Sequence, residues 1–160
     1  MHHEIERHLG RSIDWETEFE ARYREVFERE LVAVPGIVEA LDEIDAPTCV
    51  ASSGSHDKMR FTLGRTGLLD RFDGRIFSVD QVAHGKPTPD IFLFTADRMG
   101  ASPDRCAVVE DSVSGVAAGL AAQMTVFAFS GGVTNAESLA TGGAVVFDDM
   151  RALPGRLRAQ

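Results

Sequence analysis

Cysteine is scarce in this sequence: 160 residues contain two, Cys49 and Cys106, each inside an apolar run. They read as buried thiols of a reducing compartment, and a cytoplasmic location is the expectation. Long hydrophobic runs are missing too. None approaches the ~20 residues needed to span a bilayer, and the opening "MHHEIERHLG" has no apolar stretch of the secretory kind. Positive charge is the third shortage. The net charge is −9, which argues against a nucleic-acid or anionic-membrane partner. Lysine is rarer still: of sixteen basic residues only Lys58 and Lys86 are lysines, and the rest are Arg. A compact ammonium suits a phosphoryl oxygen better than a wide planar fork does. That singles out Lys86 in a loop, while Lys58 reads as a helix-surface residue.

What is present is a strict alternation. Residues 14–31 place Trp15, Phe19, Tyr23, Val26, Phe27 and Leu31 on one helical face, with Glu and Arg opposite. From residue 35 onward helices and strands take turns. "VPGIVEALDEI", "HDKMRFTLGRTG", "TPDIFLFTADRMG" and "SVSGVAAGLAAQM" have helical patterning. Thr88 is expected as an N-cap, and Gly67 and Gly100 as stops. "PTCVASSGS", "RIFSV", "CAVVED", "TVFAFS" and "AVVF" read as strands, with a weak helix closing the chain. Continuous apolar strands imply burial on both faces, so the expectation is an α/β fold with a doubly wound, mostly parallel, Rossmann-like sheet. Residues 1–33 read as a separate, purely helical unit, and 34–160 as the α/β core.

In open parallel sheets chemistry collects where the strands end. Those ends carry Ser52-Ser53-Gly54, the loop "HGKPTPD" and the pair Glu110-Asp111. Adjacent carboxylates repel and need a cation or hydrogen bonds to hold them. The bland alternative is a turn in which Asp111 or Ser112 caps the next helix. A hydroxyl-rich turn and a lysine suit a phosphate, and two acids suit a divalent cation. Asp90 reads as a first-turn helix charge. His56 and His84 read as solvated or loop-stabilising, and His2 and His3 as incidental.

With "VASSGS", "GKPTPDIF" and "VVEDSVSGVAA" in this order, the chain resembles the haloacid dehalogenase-like hydrolases. Within them it is most similar to the capped group that includes phosphoglycolate phosphatase, β-phosphoglucomutase and 6-phosphogluconate phosphatase. The resemblance covers about residues 9 to 155. It implies a Mg2+-dependent phosphatase of a small phosphorylated sugar or acid. Ser52 would hold the transferring phosphoryl group with the Ser53 backbone N–H assisting, and Lys86 would neutralise charge on nucleophile and phosphoryl oxygens. Glu110 and Asp111 would hold Mg2+ directly or through water. Gln123 stands where the family usually has Gly, a departure expected to touch packing only.

One family element is absent. The resemblance calls for an apolar strand followed by Asp-x-Asp, whose first Asp is the nucleophile and second the general acid/base. No Asp-x-Asp occurs in the sequence, and "IDWET" at 13–17 reads as a helix start. The core is therefore expected to lack its first strand, which would sit mid-sheet between the strands ending at Ser52 and Glu110. Two expectations follow: an enzyme fragment inactive as the isolated chain, or a catalytically silent folding or interaction module. A homodimer is possible if another chain fills the gap.

Overall fold

The computed structural model describes residues 15–159, and side chains from residue 22 onward. The chain divides into two compact units, residues 1–32 and 33–160. In the first, helix α1 (Trp15–Glu30) brings the rings of Tyr23 and Phe27 to 5.5 Å. His2, His3 and Asp14 lie outside the described residues, as do the side chains of Trp15 and Phe19.

The second unit follows the expected alternation. In order come α2 (Ile37–Glu43), β1 (Val50–Ser52), α3 (His56–Arg65), β2 (Ile76–Ser78) and α4 (Asp90–Arg98). Then come β3 (Ala107–Glu110), α5 (Val113–Ala121), β4 (Thr125–Phe129), α6 (Ala136–Leu139), β5 (Val145–Phe147) and α7 (Leu153–Arg158). All pairings are parallel, as connections through helices require. Two layers of core flank the strands. Ile91, Phe92 and Ala96 of α4 and Val116 and Ala118 of α5 pack on one face, against Val108, Val126 and Ala128. On the other, Ile37 of α2 and Leu153 of α7 pack against Phe127, Phe129 and Phe147. The alternation along β4 sends Val126 and Ala128 to the first face and Phe127 and Phe129 to the second. No helix among the described residues is long and apolar enough to cross a membrane.

The sheet is divided. β1 pairs with β2, β4 lies between β3 and β5, and no ladder joins β1 to β3. Alternation identifies the groups left over. Val50 N–H donates to Arg75 O, on the β2 side, so the N–H and C=O of Cys49 and Ala51 turn the other way. Cys106 O accepts from Thr125 N–H, on the β4 side, which turns Ala107 and Val109 outward. β1 and β3 thus each keep one edge without a ladder partner.

Burial follows from this division. β3 is not covered on both faces as its apolar run implied: Val108 is buried, whereas Val109 is 40 % exposed. A run of valines reports that a strand is apolar, not that both its neighbours are in place. The two cysteines also differ from expectation, being half-buried.

Local signals fared unevenly. Gly67 and Gly100 close their helices at φ +71° and +67°. Thr88 does not cap α4. Its hydroxyl donates to Gly85 O (3.0 Å), tightening the loop before Pro89, and the helix begins at Asp90. Gln123 adopts φ 59°, alone among the described non-glycine residues, so glycine would suit this turn for its backbone rather than for packing. Gln123→Gly should therefore stabilise the chain by about 0.5–1 kcal/mol, because relief of the left-handed strain outweighs the entropy glycine adds to the unfolded state. A rise in the urea midpoint at unchanged slope would confirm it. A fall would mean the Gln side chain contributes more than its backbone costs.

Candidate active site

The strand ends of the second unit gather four groups. β1 ends in Ser52, and the turn that follows is fixed twice. Gly54 N–H donates to Ser52 Oγ (3.1 Å), and Ser78 Oγ, at the end of β2, donates to Gly54 O (2.9 Å). Ser78 is fully buried. It is a polar residue closing the apolar run "RIFSV", a position that costs free energy unless the hydroxyl has a structural partner. That was the available signal for its role, and sequence reasoning passed over it. Ser53 lies exposed on the same turn.

Lys86 comes from the loop before α4 and reaches the strand ends. Its ammonium donates to Ala51 O (3.3 Å), one of the carbonyls on the β1 edge, and pairs with Glu110 Oε1 at the end of β3. It also lies 4.8 Å from the centre of the Phe92 ring, on the negative face of the aromatic. Only 8 % of the Lys86 side chain and 10 % of the Glu110 side chain are exposed. A buried pair of this kind depends on its further hydrogen bonds, and both partners have them. Ser112 Oγ donates to Glu110 Oε2 (3.0 Å) and accepts from Gly115 N–H (3.0 Å), so it caps α5 and steadies the acid together.

The two acids differ in circumstance. Glu110 is engaged through both oxygens. Asp111 is exposed, and a Cβ on Gly132, in the turn after β4, would lie 3.7 Å from Asp111 Oδ2. Among the described residues no group of three His, Cys, Asp or Glu side chains gathers into a metal cage. Of the two acids only Asp111 is exposed and without a hydrogen-bond or ion-pair partner among the described residues, so the carboxylate chemistry a Mg2+ ion favours is offered here by Asp111 rather than by the pair.

An open hollow of about 360 Å³ adjoins the hydroxyl turn, lined by Ser52, Ser53, Gly54, Lys58, Met59 and Thr62. Lys58, read from sequence as a surface residue, lines it; Lys86, Glu110 and Asp111 do not. Lys86, Glu110 and the end of β1 are thus brought together, while Ser53 and Asp111 stand at the exposed margin. His56 Nε2 lies 3.2 Å from Ile76 O, a structural contact. His84 Nδ1 lies 3.1 Å from Asp90 Oδ2, and this hydrogen bond holds the Asp90 carboxyl below the usual range.

Comparison with known proteins places this arrangement. A model of haloacid dehalogenase-like hydrolases matches residues 2–123, and the chain belongs to that family. It is similar to 6-phosphogluconate phosphatase of Escherichia coli K12, at 36 % identity over 111 residues, 69 % of this chain and 50 % of the relative. It is likewise 36 % identical over 98 residues to a phosphorylated carbohydrates phosphatase of Thermotoga maritima, covering 59 % and 45 %. Among solved structures, a haloacid dehalogenase-like protein of unknown function from Agrobacterium tumefaciens superposes with a TM-score of 0.82 at 32 % identity, over 98 % of this chain and 74 % of that one. A putative β-phosphoglucomutase from Thermotoga maritima gives 0.80 at 27 %, over 91 % and 69 %. The chain spans about half the length of these curated phosphatases.

Gly115 tests the geometry of the buried pair. A Cβ there would fall 2.0 Å from Glu110 Oε2. Helix propensity alone predicts that Gly115→Ala stabilises by about 1 kcal/mol. The Glu110 carboxylate is held by Lys86 and Ser112 and cannot yield freely, so the expected outcome is a net loss of about 1–2 kcal/mol in chemical denaturation. A gain would show that Glu110 is loosely held.

Proposed function

We propose that this chain carries the phosphate- and metal-binding half of a Mg2+-dependent phosphatase acting on a small phosphorylated sugar or acid in the cytoplasm. Residues 1–33 would be part of a helical cap and 34–160 an α/β core without its first strand. The observation that carries this reading is the buried Lys86 ammonium, placed between the unpaired edge of β1 and Glu110 at the end of β3. Lys86 would meet the phosphoryl oxygens and the nucleophile, with Ser52 Oγ and the Ser53 N–H as further donors. Asp111 would be a direct Mg2+ ligand, and Glu110, its oxygens already engaged, would act through water. Mg2+, which phosphatases of this family generally use, would supply charge neutralisation on the phosphoryl group. The small phosphorylated substrate is inferred from the relatives named phosphatases of 6-phosphogluconate and of phosphorylated carbohydrates.

No Asp-x-Asp is present, so the isolated chain should release no phosphate from p-nitrophenyl phosphate in the presence of Mg2+. Extending it at the N-terminus with an apolar strand ending in Asp-x-Asp should restore turnover, and Lys86→Ala in that extended protein should cut the rate by about 10²–10³-fold. Phosphate release by the unextended chain that disappears with Lys86→Ala overturns the inactive reading. An extended protein that folds yet stays inert overturns the phosphatase reading.

The open edges at Cys49, Ala51, Ala107 and Val109 favour a second reading, a silent module that pairs there with another copy of the chain. Solution mass separates the two: a dimer whose mass is unchanged when the strand is supplied contradicts edge-mediated pairing.

A further inference from the structure

We propose that Ser78 is a positioning residue for the phosphate donor Ser52, acting through the backbone of Gly54. The inference rests on the reading of Ser52 as a phosphoryl ligand and extends it to a buried residue one strand away. Ser52 and Ser78 are the last partners of the β1–β2 ladder. Their hydroxyls are joined through one glycine. Ser78 Oγ donates to Gly54 O (2.9 Å), and Gly54 N–H donates to Ser52 Oγ (3.1 Å). Both backbone polar groups of Gly54 are thus held, one by each serine.

The two hydroxyls have different tasks. Ser52 Oγ accepts from Gly54 N–H, and among the described residues its own proton has no acceptor. The side chain lines the hollow of about 360 Å³. An N–H bonded to the oxygen biases the hydroxyl rotor, so its proton points away from Gly54 and is available to a phosphoryl oxygen. Ser78, by contrast, is fully buried and reaches no ligand.

Ser78 is itself fixed before it acts. Its N–H donates to Gln81 Oε1 (2.9 Å) and its Oγ accepts from Asp80 N–H (3.2 Å), which closes the start of the helical turn Val79–Gln81. The hydroxyl carries one proton and has two acceptors in reach, Gly54 O at 2.9 Å and Asp80 Oδ2 at 3.0 Å. Asp80 is exposed and its carboxylate takes donors from water, whereas the half-buried Gly54 depends on a protein donor. The proton therefore serves Gly54.

The identity of residue 54 makes this bond matter. Without a Cβ, Gly54 has the widest backbone freedom of any residue in the turn. Loss of the Ser78 donor lets its carbonyl seek water, and the rotation that takes it there shifts the N–H as well. Ser52 then keeps its hydroxyl but loses the bond that directs it. Phosphate affinity falls although no group that touches the ligand has been removed.

The test is an NMR titration of the whole isotope-labelled chain with inorganic phosphate, combined with hydrogen exchange at the Gly54 amide. Ser52→Ala should weaken binding by about 10-fold or more, as for a hydrogen bond to a charged group. Ser78→Ala should weaken it by about 3–10-fold, as for a neutral one, and speed Gly54 exchange as Ser52→Ala does. Ser78→Cys fills the serine's space with a weak donor and should behave like Ser78→Ala, which separates the lost proton from lost packing. In the Ser52→Ala background Ser78→Ala should cost no further affinity, because its effect travels through Ser52. Fast Gly54 exchange in the unsubstituted chain overturns this proposal alone. So does affinity that falls with Ser52→Ala but not with either Ser78 variant, or an equal loss from Ser78→Ala in both backgrounds. No phosphate binding by the unsubstituted chain, or binding that Ser52→Ala leaves unchanged, overturns the phosphate-donor reading of Ser52 and this proposal with it.

Discussion

The Lys86 ammonium holds the strand ends of the second unit together. A buried lysine is costly unless its charge is met, and here it is met by Glu110 from β3, by Ala51 O from β1 and by the Phe92 ring of α4. Those partners come from both halves of a divided sheet, so one side chain performs a linkage that backbone ladders usually provide. Arginine would fit this role badly. Its planar fork presents five donors, whereas the site offers a carbonyl, one carboxylate oxygen and a ring face. In a chain that otherwise uses Arg almost everywhere, the exception falls where a point charge is required.

The divided sheet accounts for features that seem unrelated. β1 has three residues, partial burial throughout and one strand neighbour. Val109 is exposed although it sits in an apolar run, on a strand with one neighbour only. The Ala51 carbonyl would be an orphan on the β1 edge, and Lys86 supplies its donor. An ammonium is a reversible donor in a way that a paired strand is not, so this one carbonyl of the β1 edge is met without a paired strand.

Most of the fold was legible because it depends on periodicity. The helices at 37–43, 56–65, 90–98 and 113–121 and the five strands follow from where apolar residues recur and where Gly and Pro interrupt them. What could not be read is which strands touch. Pairing is a property of partners, and Cys106 to Glu110 carry the same residues whether one neighbour is present or two. Caps were harder for a similar reason. Thr88 has the chemistry of an N-cap, but Pro89 and the loop carbonyls gave its hydroxyl other work. At the site, Lys86 and the acid pair were visible as residue types out of keeping with their surroundings. Ser78 was visible in the same way and overlooked, while Lys58 was hidden because lining a hollow depends on tertiary placement.

The juxtaposition of Glu110 and Asp111 resolves differently from what two adjacent anions suggest. β3 ends at Glu110 and Asp111 begins the turn that follows, so the two side chains meet different surroundings. Glu110 turns toward the α4–α5 layer, where Lys86 and Ser112 neutralise and fix it, and Gly115 leaves room for its carboxylate. Asp111 turns to the rim beside Gly132 and stays solvated. The repulsion between them is reduced because the Glu110 charge is compensated by Lys86. The acid that positions the lysine and the acid that stays exposed are therefore distinct residues. Their adjacency in sequence makes the end of β3 the point where the buried charge network meets solvent.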